Sequence, residues 1–302
     1  MAVFAGKTQF AQGGGNDTAL LNRMYEFPGR MGNVRFVYSG ATGSGTGISP
    51  ADAYTTLQAA HDAAVADNDD HIYILPGHAE AIVGAGTIAL TKSGLNIIGL
   101  GNGRKRPVFS WTTGTNAQWT VTGANTIIRN IVMDWSGFDA IVACMSVTAA
   151  DFWMDNCEAN IASASAQPLI GILTAATATR FKVTNSRFLG LATTSGATFT
   201  GAIKHEVGVD FLIDNCFFRC KGTQAILNAT TILGGVISNC SFHIYTGTKG
   251  IALAAGTTGY GFNNRFVVPS GTSPVVGAGF SWSNNGYTTE ALTIGTPTAG
   301  AF

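Results

Sequence analysis

Asp155 and Asp214 are the residues best suited to acid–base chemistry in this 302-residue chain. Each stands immediately before an asparagine (Asn156, Asn215) in what reads as successive turns of one repeat. Two repeats of strand spacing separate them by ~9.6 Å. That lies at the upper edge of the roughly 6.5–9.5 Å between the carboxyls of inverting glycosidases. The same acids also read as ordinary solvated groups beside a bend. A second charged cluster, Lys204-His205-Glu206 with Asp210 close by, could supply a base and a substrate clamp, or a surface ion-pair group in a connecting loop.

Other patterns carry less. Gly40-Ala41-Thr42-Gly43-Ser44-Gly45 lacks the Lys-Ser/Thr of a phosphate loop, Gly99-Leu100-Gly101 is a weak dinucleotide signal, and His78-Ala79-Glu80 has no metal partners in sequence. Five cysteines without CxxC spacing argue against both a disulfide framework and a zinc cage. Nothing calls for a cofactor or a metal. Formal net charge is zero, and the single basic run, Arg104-Lys105-Arg106, reads as a solvated turn, so nucleic acid is not an expected partner. No apolar run reaches the ~18 residues of a membrane span. Met1 to Lys7 lack a charged start followed by an apolar stretch, so the chain is expected to be soluble and made in a cytoplasm.

The elements that position these residues form a repeat. Asn130, Asn156, Asn185, Asn215, Asn239 and Asn263 each follow a short strand, at intervals of 26, 29, 30, 24 and 24. Two places before them stand mostly apolar residues, Ile128, Met154, Val183, Ile213 and Ile237. Three places after stand Met133, Ala159 and then Phe188, Phe218, Phe242 and Phe266. One coil cannot bury its inward side chains, whereas stacked coils bury a continuous column. The spacing therefore predicts an all-β protein, a right-handed parallel β-helix solenoid over about residues 72–280, with an internal phenylalanine ladder. Asparagine, which tolerates left-handed backbone, would turn each bend. Cys157, Cys216 and Cys240 share the slot after it with Ser186 and read as small buried packing residues.

Flanking segments complete the expected organisation. Residues 1–35 form an extended N-terminal arm, whose Phe4, Phe10, Leu20, Leu21, Met24 and Tyr25 have no local core and would order against a partner subunit. Ser49-Pro50-Ala51-Asp52 predicts the start of a capping α-helix at about 49–66, within a domain spanning 36–280. Residues 281–302 would be a C-terminal tail outside the repeat.

Ile72-Tyr73-Ile74-Leu75-Pro76-Gly77, then Ile97-Ile98-Gly99-Leu100-Gly101, then coils with bend asparagines, resemble the pectate-lyase-like β-helix superfamily over roughly residues 36–280. Its members include polysaccharide lyases and hydrolases, tailspikes and structural virion proteins, so the resemblance speaks for fold more than activity. The short chain and the arm resemble phage capsid cement or decoration proteins. That resemblance implies a homotrimer on the capsid surface of a virion, bound to the major capsid protein.

A row three places before each asparagine weighs toward assembly: Ile127, Trp153, Lys182, Leu212, Val236 and Tyr260 are mostly apolar yet expected to point outward. Trp153, Leu212, Val236 and Tyr260 are the expected interface. The sequence thus predicts a non-enzymatic structural virion protein. Its alternatives are a tail-associated lyase or glycoside hydrolase using Asp155 and Asp214, and a receptor-binding tail protein without catalysis.

Overall fold

The computed structural model describes residues 32–290, apart from 44, 138–139, 162–167, 191–199, 207, 222–223, 229, 247–248, 270–272 and 278. The arm residues Phe4, Phe10, Leu20, Leu21, Met24 and Tyr25 lie outside the described residues.

The described chain is a parallel β-solenoid with little helix. Its strands fall into three all-parallel sheets of ten, nine and eight strands, and from His71–Ile74 onward successive strands pass from one sheet to the next. The ten-stranded sheet runs from Val34–Val37 to Phe280–Ser283 and carries the strand before each bend asparagine. The nine-stranded sheet, from Ala79–Ile82 to Gly286–Glu290, carries the strand after it. The eight-stranded sheet, from Ala85–Leu90 to Ser273–Val276, closes each coil.

Strand alternation fills the interior. Ile97, Ile128, Met154, Val183, Ile213 and Ile237 stack in register on the inner side of the ten-stranded sheet, all buried. Phe188, Phe218, Phe242 and Phe266 form the expected ladder, with successive ring centroids 4.9 Å apart and planes within 7°. Ring stacking at the strand repeat costs no adjustment of either spacing, which is why one residue type can recur there.

The bend asparagines all adopt left-handed backbone, with φ between 50° and 56°. Their carboxamides link coils: Asn215 Nδ2 donates to Asn185 Oδ1 at 2.8 Å, and Asn263 Nδ2 to Asn239 Oδ1 at 3.3 Å. In the next slot the small side chain caps a backbone N–H of the coil before it. Ser186 Oγ accepts from Cys157 N at 3.1 Å, Cys240 Sγ from Cys216 N at 3.4 Å, and Asn264 Oδ1 from Cys240 N at 3.0 Å. These thiols are free and buried. Burial pushes the Cys157 thiol up to about 12, so it is protonated and unreactive at neutral pH.

The solenoid extends further than its sequence spacing indicates. Phe280–Ser283 and Gly286–Glu290 pair in register with the preceding coil, and Asn284 takes the bend position at φ 53°. Asn284 follows Asn263 by only 21 residues, below the 24–30 of the other coils, which hides it from a periodicity reading. Gly261 and Trp282 also exchange the usual apolar slot. A Cβ on Gly261 would lie 2.1 Å from the Trp282 ring, so glycine in one coil makes room for the indole of the next.

The helix is shorter than the Ser49-Pro50 signal predicts. A single 3-10 turn covers Pro50–Asp52, and the Ser49 side chain caps nothing. Asp52 accepts from Gly45 N at 2.9 Å, and Tyr54 exchanges backbone hydrogen bonds with Phe36 and Tyr38, which holds the chain extended. The α-helix itself is Leu57–Ala63, with Thr56 as N-cap accepting from Ala59 N at 3.2 Å. It lies against the terminal strand of the eight-stranded sheet. Gln58 Oε1 accepts from Ala89 N at 2.7 Å, and His61 Nε2 from Thr91 N and Lys92 N at 3.0 and 3.2 Å. A sheet edge exposes unpaired N–H groups, and these side chains satisfy three of them.

Candidate functional site

The outer side of the ten-stranded sheet gathers most of the sequence candidates. Ile127, Trp153, Lys182, Leu212, Val236 and Tyr260 stack in register, with Asn96 before them and Ser281 after. None is buried: Tyr260 is 65% exposed, Lys182 is exposed, and the other four are intermediate. Phe262, Val209 and Leu233 add exposed apolar surface on neighbouring positions. A depression of about 260 Å³ opens in the middle of this face, lined by Leu212 and Val236 among Arg180, Lys182 and Asp210.

Two places along the strands, Arg129, Asp155, Thr184, Asp214, Ser238 and Phe262 form a second outward row. Asp155 and Asp214 thus share a row, as expected, with Thr184 between them. Their partners match. Asp155 Oδ1 accepts from Thr184 Oγ1 and Asn185 Nδ2, both at 2.7 Å. Asp214 Oδ1 accepts from Ser238 Oγ at 2.6 Å and Asn239 Nδ2 at 2.7 Å. An Asp-Asn pair in one coil is therefore braced by a Ser/Thr-Asn pair in the next. Charge-assisted bonds of this length hold coil to coil. This bracing takes up Oδ1 of each acid.

Trp153 is less available than its neighbours. Its Nε1 donates to Thr184 Oγ1 at 2.8 Å, and the Arg129 guanidinium stacks 4.4 Å from the ring centre while its Nε lies 3.6 Å from Asp155 Oδ2. Leu212, Val236 and Tyr260 make the open apolar strip.

Lys204-His205-Glu206 does not work as a unit, and it is not wholly in a loop. Lys204 and His205 belong to the strand Gly201–His205. Lys204 Nζ pairs with Glu206 Oε1 at 2.5 Å. His205 points inward, 1% exposed, between the rings of Phe181 and Phe211 at 5.6 and 5.4 Å. Burial holds its imidazole down at about 4. Strand alternation carried that signal: Ile203 in, Lys204 out, His205 in.

His78-Ala79-Glu80 has a structural role that its motif does not convey, and two further features escape a reading of motifs. His78 is buried, with Nδ1 accepting from Ser39 N at 2.9 Å and Nε2 lying 3.1 Å from Glu80 Oε2. Glu80 in turn accepts from Leu57 N at the helix start at 2.9 Å, so the pair ties helix to first coil. Asp70, fully buried, accepts from Asn33 N, Val65 N and Asn68 Nδ2 at 2.6, 2.8 and 2.7 Å. A second left-handed row runs along the ten-stranded sheet: Asn125, Asp151 and Arg180 precede their strands, while Asp210 and Gly234 lie within Gly208–Asp214 and Ile232–Ser238. Its residue types vary too much for sequence to register it.

On the nine-stranded sheet, a groove of about 340 Å³ is lined by Val132, Asp134, Asn160, Leu189 and Arg219 among others. Among the described residues no helix is long and apolar enough to cross a membrane.

No family model matches the chain, and no curated protein matches it. Two solved structures are similar in fold. A pectate lyase, Pel9A, aligns with a TM-score of 0.46 at 12% identity, over 85% of this chain and 80% of its own. A rhamnogalacturonan lyase aligns with a TM-score of 0.48 at 13% identity, over 84% of this chain and 87% of its own. The likeness is one of parallel β-helix architecture.

Proposed function

We propose that this protein is a rigid assembly block whose ten-stranded sheet packs against other copies of the chain. The in-register outward strip of Leu212, Val236 and Tyr260, bordered by Phe262 and Leu233, carries the reading. Its apolar centre and its rim of Arg180, Lys182 and Asp210 have the composition of a subunit interface. The bracing of both candidate acids supports a structural role for them.

The finer reading is a structural virion protein, a capsid cement protein acting as a homotrimer on the capsid surface. It follows the resemblance of a β-helix with an apolar N-terminal arm to phage capsid cement proteins. In it the coil is right-handed, the hand parallel crossovers almost always take. Residues 1–35 anchor it to the major capsid protein.

A panel of acidic and neutral polysaccharides separates this from catalysis. Incubation with the full chain is expected to release neither reducing ends nor unsaturated products. Release that Asp155→Asn or Asp214→Asn abolishes would overturn the reading in favour of a lyase or hydrolase. In purified particles, hundreds of copies support the capsid role and a few copies contradict it.

A further inference from the structure

The inner side of the eight-stranded sheet changes character along its axis. Leu90, Val121, Val147, Thr174, His205 and Asn228 stack in register, one per coil. The first three are apolar, as a dry core requires. The next three are polar and still buried, at 0%, 1% and 3% exposure.

Thr174 Oγ1 bonds His205 Nδ1. His205 Nε2 and both carboxamide atoms of Asn228 meet no protein partner. An amide buried without partners is destabilising, a penalty that leucine or valine at position 228 would avoid. Thr174 is satisfied by His205, so His205 Nε2 and the Asn228 carboxamide are the groups that need an occupant other than protein.

Gly208 indicates where that occupant sits. A Cβ there would lie 3.2 Å from His205 Nε2 and 3.4 Å from the Ala178 carbonyl oxygen. The Gly208 backbone is not left-handed, so glycine is present for space rather than for conformation. The absence of a side chain at Gly208 leaves the line between this imidazole nitrogen and this carbonyl uncovered, so a water lying clear of the Gly208 Cα and about 3 Å from each would bridge them.

We propose that this corner is an internal water site, with one ordered water bridging His205 Nε2 to the Ala178 carbonyl beside Gly208 and further water on the Asn228 carboxamide. Water suits the site because it donates or accepts as the imidazole tautomer requires, and buried waters commonly make about three such bonds. The proposal stands apart from the assembly reading and concerns the interior alone.

A high-resolution crystal structure of the full chain tests it directly. The expected result is water density within bonding distance of both His205 Nε2 and the Ala178 oxygen, with a second peak on Asn228. Dry density at this corner would overturn the proposal, as would an anomalous signal identifying a metal ion. Gly208→Ala, checked for folding by circular dichroism, is expected to expel the first water. Density unchanged in that variant would also overturn the assignment, because the methyl group and the water claim the same space.

Discussion

Asp155 and Asp214 owe their orientation to a hydroxyl and a carboxamide supplied by the coil that follows each of them. Removing either carboxylate leaves an asparagine amide short of its partner at a half-exposed corner. Asp214→Ala is therefore expected to cost about 1 kcal/mol, read as a lower denaturation midpoint with an unchanged slope. His205 makes a larger, pH-dependent contribution. Its folded imidazole resists protonation down to about 4, whereas an unfolded one takes up a proton near 6.5. The stability held by the neutral ring is complete above about pH 6.5 and is lost as pH falls from there to about 4. The full effect is on the order of 3 kcal/mol. His61 and His71, also lowered by burial, act in the same sense. Urea titrations at pH 7 and pH 4.5 should show a smaller difference for His205→Phe than for the native chain. An equal difference would show that the ring is protonated in the fold.

Coils succeed or fail on two repeated positions, the phenylalanine and the bend asparagine. Phe218 stacks on a ring on each side, so Phe218→Ala opens a void in the column and is expected to cost about 3–5 kcal/mol. At Asn215, φ is 50°. Asn215→Gly loses only the carboxamide bond, while Asn215→Val adds about 1–2 kcal/mol of left-handed strain. Thermal melting should therefore rank native above glycine above valine, and a valine variant as stable as the glycine variant would contradict the bend geometry. These positions were legible in the sequence because one residue type recurs at one offset. The last coil was not, since its interval shortens to 21 and Trp282 replaces the usual aliphatic residue. The helix start was misplaced because Ser49-Pro50 carries a strong local signal that the tertiary pairing of Tyr54 overrides. The second bend row was invisible because asparagine, aspartate, arginine and glycine all serve there.

Across the molecule, the faces differ in how much charge accompanies their apolar residues. The eight-stranded sheet shows Ala89, Thr120, Ser146, Leu173, Lys204 and Leu227 outward in register, with a single charge among them. The ten-stranded sheet combines the open strip of Leu212, Val236 and Tyr260 with a charged rim. The outward direction of that strip was legible from alternation alone. Its depression was not, because it depends on the left-handed Asp210 and Gly234 beside it. Sedimentation equilibrium of the full chain over a wide concentration range measures self-association through this face. A discrete oligomer, a trimer in the finer reading, is expected for the native chain, and Leu212→Asp with Val236→Asp should yield folded monomers. A native chain that stays monomeric throughout, or an oligomer indifferent to both substitutions, would contradict the account.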